Sequence, residues 1–373
     1  MLQQSQNIKL MATPRCLDIA ITNKCNLRCR YCYHFESAGD VDTDLSLDEW
    51  LAFFEELQRC NVLEVVLSGG EPFFRDDLKD ILQGIVANRM RFSILSNGSL
   101  ITEELAAFIA QTKRCNRVQV SVDGSNPQTH DCFRGKGAFD RAIQGVKILQ
   151  QYGLPVAVRV TIHRENVNDL NAIAAMLLDE LALPAFSTNS TYLMGLCKQY
   201  SERVQLTLEE QTVAMETLLQ LEKKYGSRVS ATAGPLFNAK QWLEMEEAKR
   251  QGKAALPGRG FVSGCNGVRR KLAIRSDGIV APCSQLSHIE LGKINQDPLA
   301  DLWRNHPELN RLRNAVKIPL DSFEYCQGCE YVNFCAGSCP GVSYVTTGLE
   351  EHPYPDSCLK RFLEKGGRLP QHG

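Results

Sequence analysis

Along the first half of the chain, short apolar runs alternate with stretches whose apolar residues recur every three or four positions. The run over 17–21 predicts a strand. Behind it, Leu47, Trp50, Leu51, Phe54 and Leu57 repeat at helical spacing, and Ser46 with Glu49 three residues later predicts a capping box. The cycle continues with strands over 62–67, 91–95, 117–122, 155–162 and 185–194, separated by helices over 77–87, 103–111, 138–151 and 169–181. Strands and helices in strict alternation predict an α/β protein with a parallel sheet and helices packed outside it. The spacing fits an open six-stranded arc as well as a closed eight-stranded barrel. Helical patterns follow over 205–225 and 235–249, and at 250–264 the composition shifts to Gly, Pro and Lys/Arg, which places a domain boundary there.

Parallel sheets carry their functional loops at the carboxyl ends of the strands. After the first four strands these loops read T-N-K-C, S-G-G-E-P, L-S-N-G and S-V-D-G, all polar or glycine-rich. Their clustering predicts one shared site.

Composition narrows the partners. With 42 basic against 43 acidic residues, the net charge of -1 gives no general attraction to nucleic acid or to an anionic membrane. The start, 1–15, is polar and lacks a signal-peptide core, and no apolar run approaches the roughly 20 residues of a membrane span. A cytoplasmic protein is expected. In that compartment 15 cysteines point to metal binding rather than to disulfides.

Three of them, Cys25, Cys29 and Cys32, fall within T-N-K-C-N-L-R-C-R-Y-C-Y on the loop leaving the first strand. Three thiolates at C-x3-C-x2-C hold three irons of a cubane and leave one open, whereas an electron-carrier cluster or a structural zinc site needs four ligands. Zinc completed by His34 is the plain alternative. The spacing, with the aromatic Tyr31 before the last cysteine, resembles the radical S-adenosylmethionine (SAM) enzymes. That resemblance implies a partial (β/α)6 barrel of the TIM type and a 4Fe-4S cluster whose open iron is chelated by SAM. It also implies reductive cleavage of SAM to a 5'-deoxyadenosyl radical, with an electron donor such as flavodoxin or ferredoxin. It assigns the SAM amino group to Gly69-Gly70-Glu71, ribose or methionine contacts to Ser96 and Asn97, ribose to Ser121 and Asp123, and the SAM carboxylate to Arg134. Cys16, Cys60, Cys115, Cys132 and Cys197 stand singly near apolar elements and are expected to be inert; His163 and His306 are expected to be structural.

A second array, Cys265, Cys283, Cys326, Cys329, Cys335, Cys339 and Cys358, follows the boundary, with a hairpin signal at Asp277-Gly278. Its pattern, C-x12-G-x4-C, then C-x2-C-x5-C-x3-C, then C, resembles the SPASM extension, a small cysteine-rich α+β domain here over 251–373, behind a barrel region over 16–250. The resemblance implies two auxiliary iron-sulfur clusters, the nearer on Cys265, Cys283 and Cys339 and the outer on Cys326, Cys329, Cys335 and Cys358. A pair of zinc ribbons is the alternative. Auxiliary clusters suit a reaction that leaves one electron over after hydrogen abstraction.

SPASM relatives mostly modify peptides, so the expected substrate is a ribosomally made precursor peptide or protein that is crosslinked, oxidised or rearranged. With only 15 residues before Cys16, a separate leader-binding protein or the SPASM region is expected to hold any leader. A sulfatase-maturing activity is disfavoured because that group places an aspartate after the second SPASM cysteine, where this chain has Ser284. A cofactor-building radical enzyme and a non-catalytic iron-sulfur or zinc scaffold are the other readings. No general base is legible, Tyr192 in S-T-N-S-T-Y included.

Overall fold

The computed structural model describes residues 10–35, 44–262, 267–337 and 339–370. Strands β1 (Cys16–Thr22), β2 (Glu64–Gly69), β3 (Arg91–Ser96), β4 (Cys115–Ser121), β5 (Val156–Ile162), β6 (Phe186–Ser190) and β7 (Val229–Ala231) pair in chain order, all parallel. The six β/α repeats predicted from the pattern are present, and β7 adds a short seventh strand. On the other side of β1 the sheet continues. There β8 (Lys271–Ile274) runs parallel to β1, and β9 (Ile279–Ala281) and β10 (Gly292–Lys293) follow antiparallel. The Asp277-Gly278 turn joins β8 to β9, with Gly278 at φ +84°. The cysteine-rich region thus lends its hairpin to the barrel sheet. A bare β1 would leave a row of unpaired backbone groups beside the core, and β8 pairs them.

Each strand sorts its side chains between two environments. Leu17, Ile19 and Ile21 of β1, Val65 and Leu67 of β2, Val118 and Val120 of β4, and Val158 and Val160 of β5 join one core with the helices. Into that core the helix Leu47–Arg59 sends Trp50, Phe53, Phe54 and Leu57, started by the complete Ser46/Glu49 capping box. The opposite face of the strands carries Asp18, Glu64, Ser93, Gln119, Ser121, Arg159, Ser187, Asn189 and Lys271, sorted there by the strand registers. Parallel strands buried on both faces read as continuous apolar runs. A polar inner face marks a lumen that receives a ligand.

Three elements depart from the pattern reading. The helix predicted over 169–181 divides into Leu170–Ala175 and a π-helical turn Met176–Glu180. The strand predicted over 185–194 stops at Ser190, so Thr191–Met194 form a loop at the carboxyl end of the sheet. A helix Pro127–Arg134, without an apolar stripe, was invisible to periodicity. Its start was legible in the cap instead: Asn126 accepts a hydrogen bond from Thr129 N at 3.1 Å, and Pro127 takes the first turn.

Candidate active site

The cysteine loop leaves β1 at Thr22 and is pinned from its first residues. Asp44 accepts hydrogen bonds from Thr22 Oγ1 at 2.5 Å and from Asn23 N at 2.6 Å. The end of β2 lies flush against the same loop, with Gly70 N donating to Thr22 O and Glu71 N to Lys24 O, both at 2.8 Å. A Cβ on Gly69 would sit 2.2 Å from Thr22 O, and Gly69 has φ +123°. One on Gly70 would sit 2.0 Å from Lys24 O and 3.2 Å from the Cys25 Cβ. Both positions therefore admit only glycine, because the atoms in the way are backbone.

Around the three thiols the loop supplies donors and positive charge. Leu27 N donates to Cys25 Sγ at 3.4 Å, and Asn97 Nδ2 stands 3.8 Å from the same sulfur. Backbone amides of His34 and Phe35 donate to Cys32, while Arg134 is the largest favourable charge acting on Cys29. Burial pushes the Cys25 thiol up to about 11 and the Cys29 thiol up to about 12, so ligation by iron must displace their protons. N–H donors and cations directed at sulfur are what cluster thiolates require, and this donor set fits an iron-sulfur cluster.

Two hydrogen-bonded groups support the loop from behind. Glu71 is buried, and its carboxylate accepts from Asn97 N at 2.7 Å, Ser96 Oγ at 2.8 Å and Phe73 N at 3.1 Å. Burial pushes its pKa up to about 7 against these donors. Asp123, fully buried, accepts from Tyr31 Oη, from Arg134 Nε at 2.5 Å and from Thr161 N at 2.8 Å. The structure thus brings Tyr31, Asp123 and Arg134 together, and joins Glu71 to Ser96 and Asn97. The carboxylates of Glu71 and Asp123 are spent on the protein itself. Ser121 lies on the lumen face, paired in register with Arg159 of β5.

Several site residues escaped the sequence reading. Asp44 had no motif to announce it. His130 Nδ1 accepts from Asp123 N at 3.1 Å, and Asn166 Nδ2 donates to Asp123 O at 2.9 Å. Cys197, which the sequence reading did name and expected to be inert, is fully buried and close enough to Cys32 to feel its charge, in an apolar cluster with Phe133 and Val204. His163 packs against the site, its ring centroid 4.2 Å from that of Phe133, and both its ring nitrogens are buried without a hydrogen-bond partner among the described residues.

In the second array, burial raises the Cys326, Cys335 and Cys358 thiols and the charge of Cys329 adds to each, so the three lie within electrostatic reach of Cys329. Cys265 lies outside the described residues. Cys283 opens the turn Ser284–Leu286, and Cys339 caps the helix Pro340–Thr347 with its Sγ 3.2 Å from Gln285 Oε1. Tyr192, on the loop after β6, is hydrogen-bonded to Gln285. The sheet and the cysteine-rich region meet at this point.

A cavity of about 780 Å³ lies there. It runs from Ser190, Thr191 and Tyr192 past Gln205, Gln211, Thr232, Asn238 and Gln241 to Cys339 and Val342, with Met215, Phe237 and Trp242 as its apolar walls. Its charged lining residues are Arg259, Asp356 and Lys365, and Arg259 already pairs with Glu244 at 3.1 Å.

Residues 19–177 match the radical SAM superfamily, and residues 265–330 match the iron-sulfur cluster-binding domain SPASM. The chain belongs to the radical SAM superfamily and carries a C-terminal SPASM domain: it is an enzyme with a SAM-binding 4Fe-4S cluster and additional iron-sulfur clusters. It is 27% identical to the AdoMet-dependent heme synthase of Methanosarcina barkeri, over 95% of this chain and 99% of that protein. To the mycofactocin maturase MftC of Mycolicibacterium smegmatis it is 35% identical, over 44% of this chain and 41% of that one. It shares its fold with Streptococcus suis SuiB bound to S-adenosylmethionine, with a TM-score of 0.71 at 18% identity, covering 94% of this chain and 78% of SuiB. No helix among the described residues is long and apolar enough to cross a membrane.

Proposed function

We propose that this enzyme abstracts hydrogen from a ribosomally made peptide, forming a crosslink, an oxidised side chain or a rearranged backbone. When bound, SAM and its cluster would supply a 5'-deoxyadenosyl radical, and an auxiliary cluster would be available to accept the electron left over. In this reading Cys25, Cys29 and Cys32 hold the SAM-binding cluster. Cys265, Cys283 and Cys339 hold a nearer auxiliary cluster, and Cys326, Cys329, Cys335 and Cys358 an outer one. Arg134, fixed by Asp123, sits where its charge serves both the thiolates and the SAM carboxylate.

The observation that carries the peptide reading is the lining of the 780 Å³ cavity, which alternates amides and hydroxyls with Met215, Phe237 and Trp242 and holds little net charge. A peptide backbone presents N–H and C=O groups in series and suits such a wall. Cys339 lines that wall, and in this reading the nearer cluster would stand beside the substrate. The second reading, a tetrapyrrole substrate, is favoured by the near full-length similarity to a heme synthase. A tetrapyrrole brings several carboxylates, and this cavity offers them Lys365 and an Arg259 already paired. Reconstituted enzyme with SAM and dithionite, given either a short peptide encoded beside the gene or an iron porphyrin, separates the two. A mass change in the peptide alone supports the proposal, and a change in the porphyrin alone rejects it.

A further inference from the structure

Two polar atoms on adjacent strands of the lumen lack partners. Arg159 Nε on β5 and Asn189 Oδ1 on β6 are both buried and have no hydrogen bond among the described residues. The registers Ser121↔Arg159↔Ser187 and Thr161↔Asn189 put them on one face, near the carboxyl ends of β4, β5 and β6 and next to the serine assigned to SAM. The lumen's acids among the described residues are engaged elsewhere. Asp18 pairs with Lys271, Glu64 accepts from Ser93 Oγ at 3.0 Å, and Asp123 is held by Tyr31 and Arg134. Among the described residues, the charged and titratable groups that act on Arg159 are Arg117, which repels it, and the phenols of Tyr192 and Tyr33; no carboxylate is among them.

Arg159 is half-buried with its Nε shut off from water, and a buried N–H or amide oxygen left without a partner is costly. The planar fork of the guanidinium matches a carboxylate, while a bare amide oxygen beside it asks for an N–H. We infer that Arg159 and Asn189 form a carboxylate-binding site in the barrel lumen, taking a ligand whose carboxylate stands close to an N–H group. Two ligands of this enzyme offer that chemistry: the methionine end of SAM, and an acidic residue of the substrate. The inference rests on the barrel and holds for either substrate reading above, whose test is a separate measurement.

The experiment is equilibrium binding to reconstituted enzyme and to its Arg159→Gln and Arg159→Lys variants. The probes are SAM, methylthioadenosine, which lacks a carboxylate, and N-acetylglutamate as a substrate fragment. If SAM fills the site, Arg159→Gln weakens SAM by roughly tenfold or more and leaves methylthioadenosine unchanged. If the substrate fills it, SAM binds both proteins alike, while N-acetylglutamate binds the wild type and is lost from the variant. Arg159→Lys keeps the charge without the fork and shows the same loss in smaller degree, which keeps the test open should the glutamine variant fail to fold. SAM binding that is unchanged in both variants, with N-acetylglutamate not distinguishing them from the wild type, overturns the assignment.

Discussion

Arg134 and Asp123 form a buried ion pair, Nε to Oδ2 at 2.5 Å, with neither side chain more than 7% exposed. The pair joins the helix Pro127–Arg134 to the end of β4, and Tyr31 adds the cysteine loop to it. Asp123→Asn strands the guanidinium without its anion and is expected to destabilise the apoprotein by about 3–5 kcal/mol. Urea denaturation reads this as a lower midpoint. Arg134→Met added to Asp123→Asn should recover part of the loss, and a double variant no better than the single one argues against the pair.

Gly70 tests how the β2 turn shapes the cysteine loop. A methyl there meets Lys24 O at 2.0 Å, so Gly70→Ala must push the loop and its first cysteine aside. The expected outcome is a folded protein with unchanged far-ultraviolet dichroism that takes up less iron, the deficit being that of one cluster. Full iron uptake would show that the loop tolerates the displacement.

Glu71 links the site to pH. Its folded pKa of about 7 lies above its ordinary value of 4.5, so between these values the native state holds a proton that the unfolded chain has released. Stability from this group is complete below the ordinary carboxylate range and is lost as pH rises to about 7. Thermal unfolding of the apoprotein between pH 5 and 8 should therefore show a fall that Glu71→Gln flattens. Equal slopes in the two proteins count against the assignment.

Much of this was legible in the chain. Strict strand–helix alternation gave the six repeats, and the four polar loops converge as their placement at strand ends required. The cysteines' spacing named the chemistry because cluster ligation fixes spacing. Periodicity failed where a cap rather than a stripe defines an element, as at Asn126, and where burial rather than motif gives a residue its role, as at Asp44 and Asn166. Nothing local in β8 told that its hairpin would close the edge of β1, since that pairing spans about 250 residues of chain.

The outer thiols should be separable from the chemistry in the barrel. Cys358→Ala removes a thiol within electrostatic reach of Cys329 and far along the chain from Cys25. Reconstituted protein should lose the iron of one cluster yet still cleave SAM when reduced. Loss of SAM cleavage together with iron would place Cys358 in the service of the first cluster.

The account depends most on the three thiols of the β1 loop. Reconstituted wild-type enzyme and Cys29→Ala, each given SAM and dithionite without oxygen, should be compared for 5'-deoxyadenosine by liquid chromatography. The wild type is expected to accumulate the nucleoside and the variant to form none. Equal yields from the two would contradict the account.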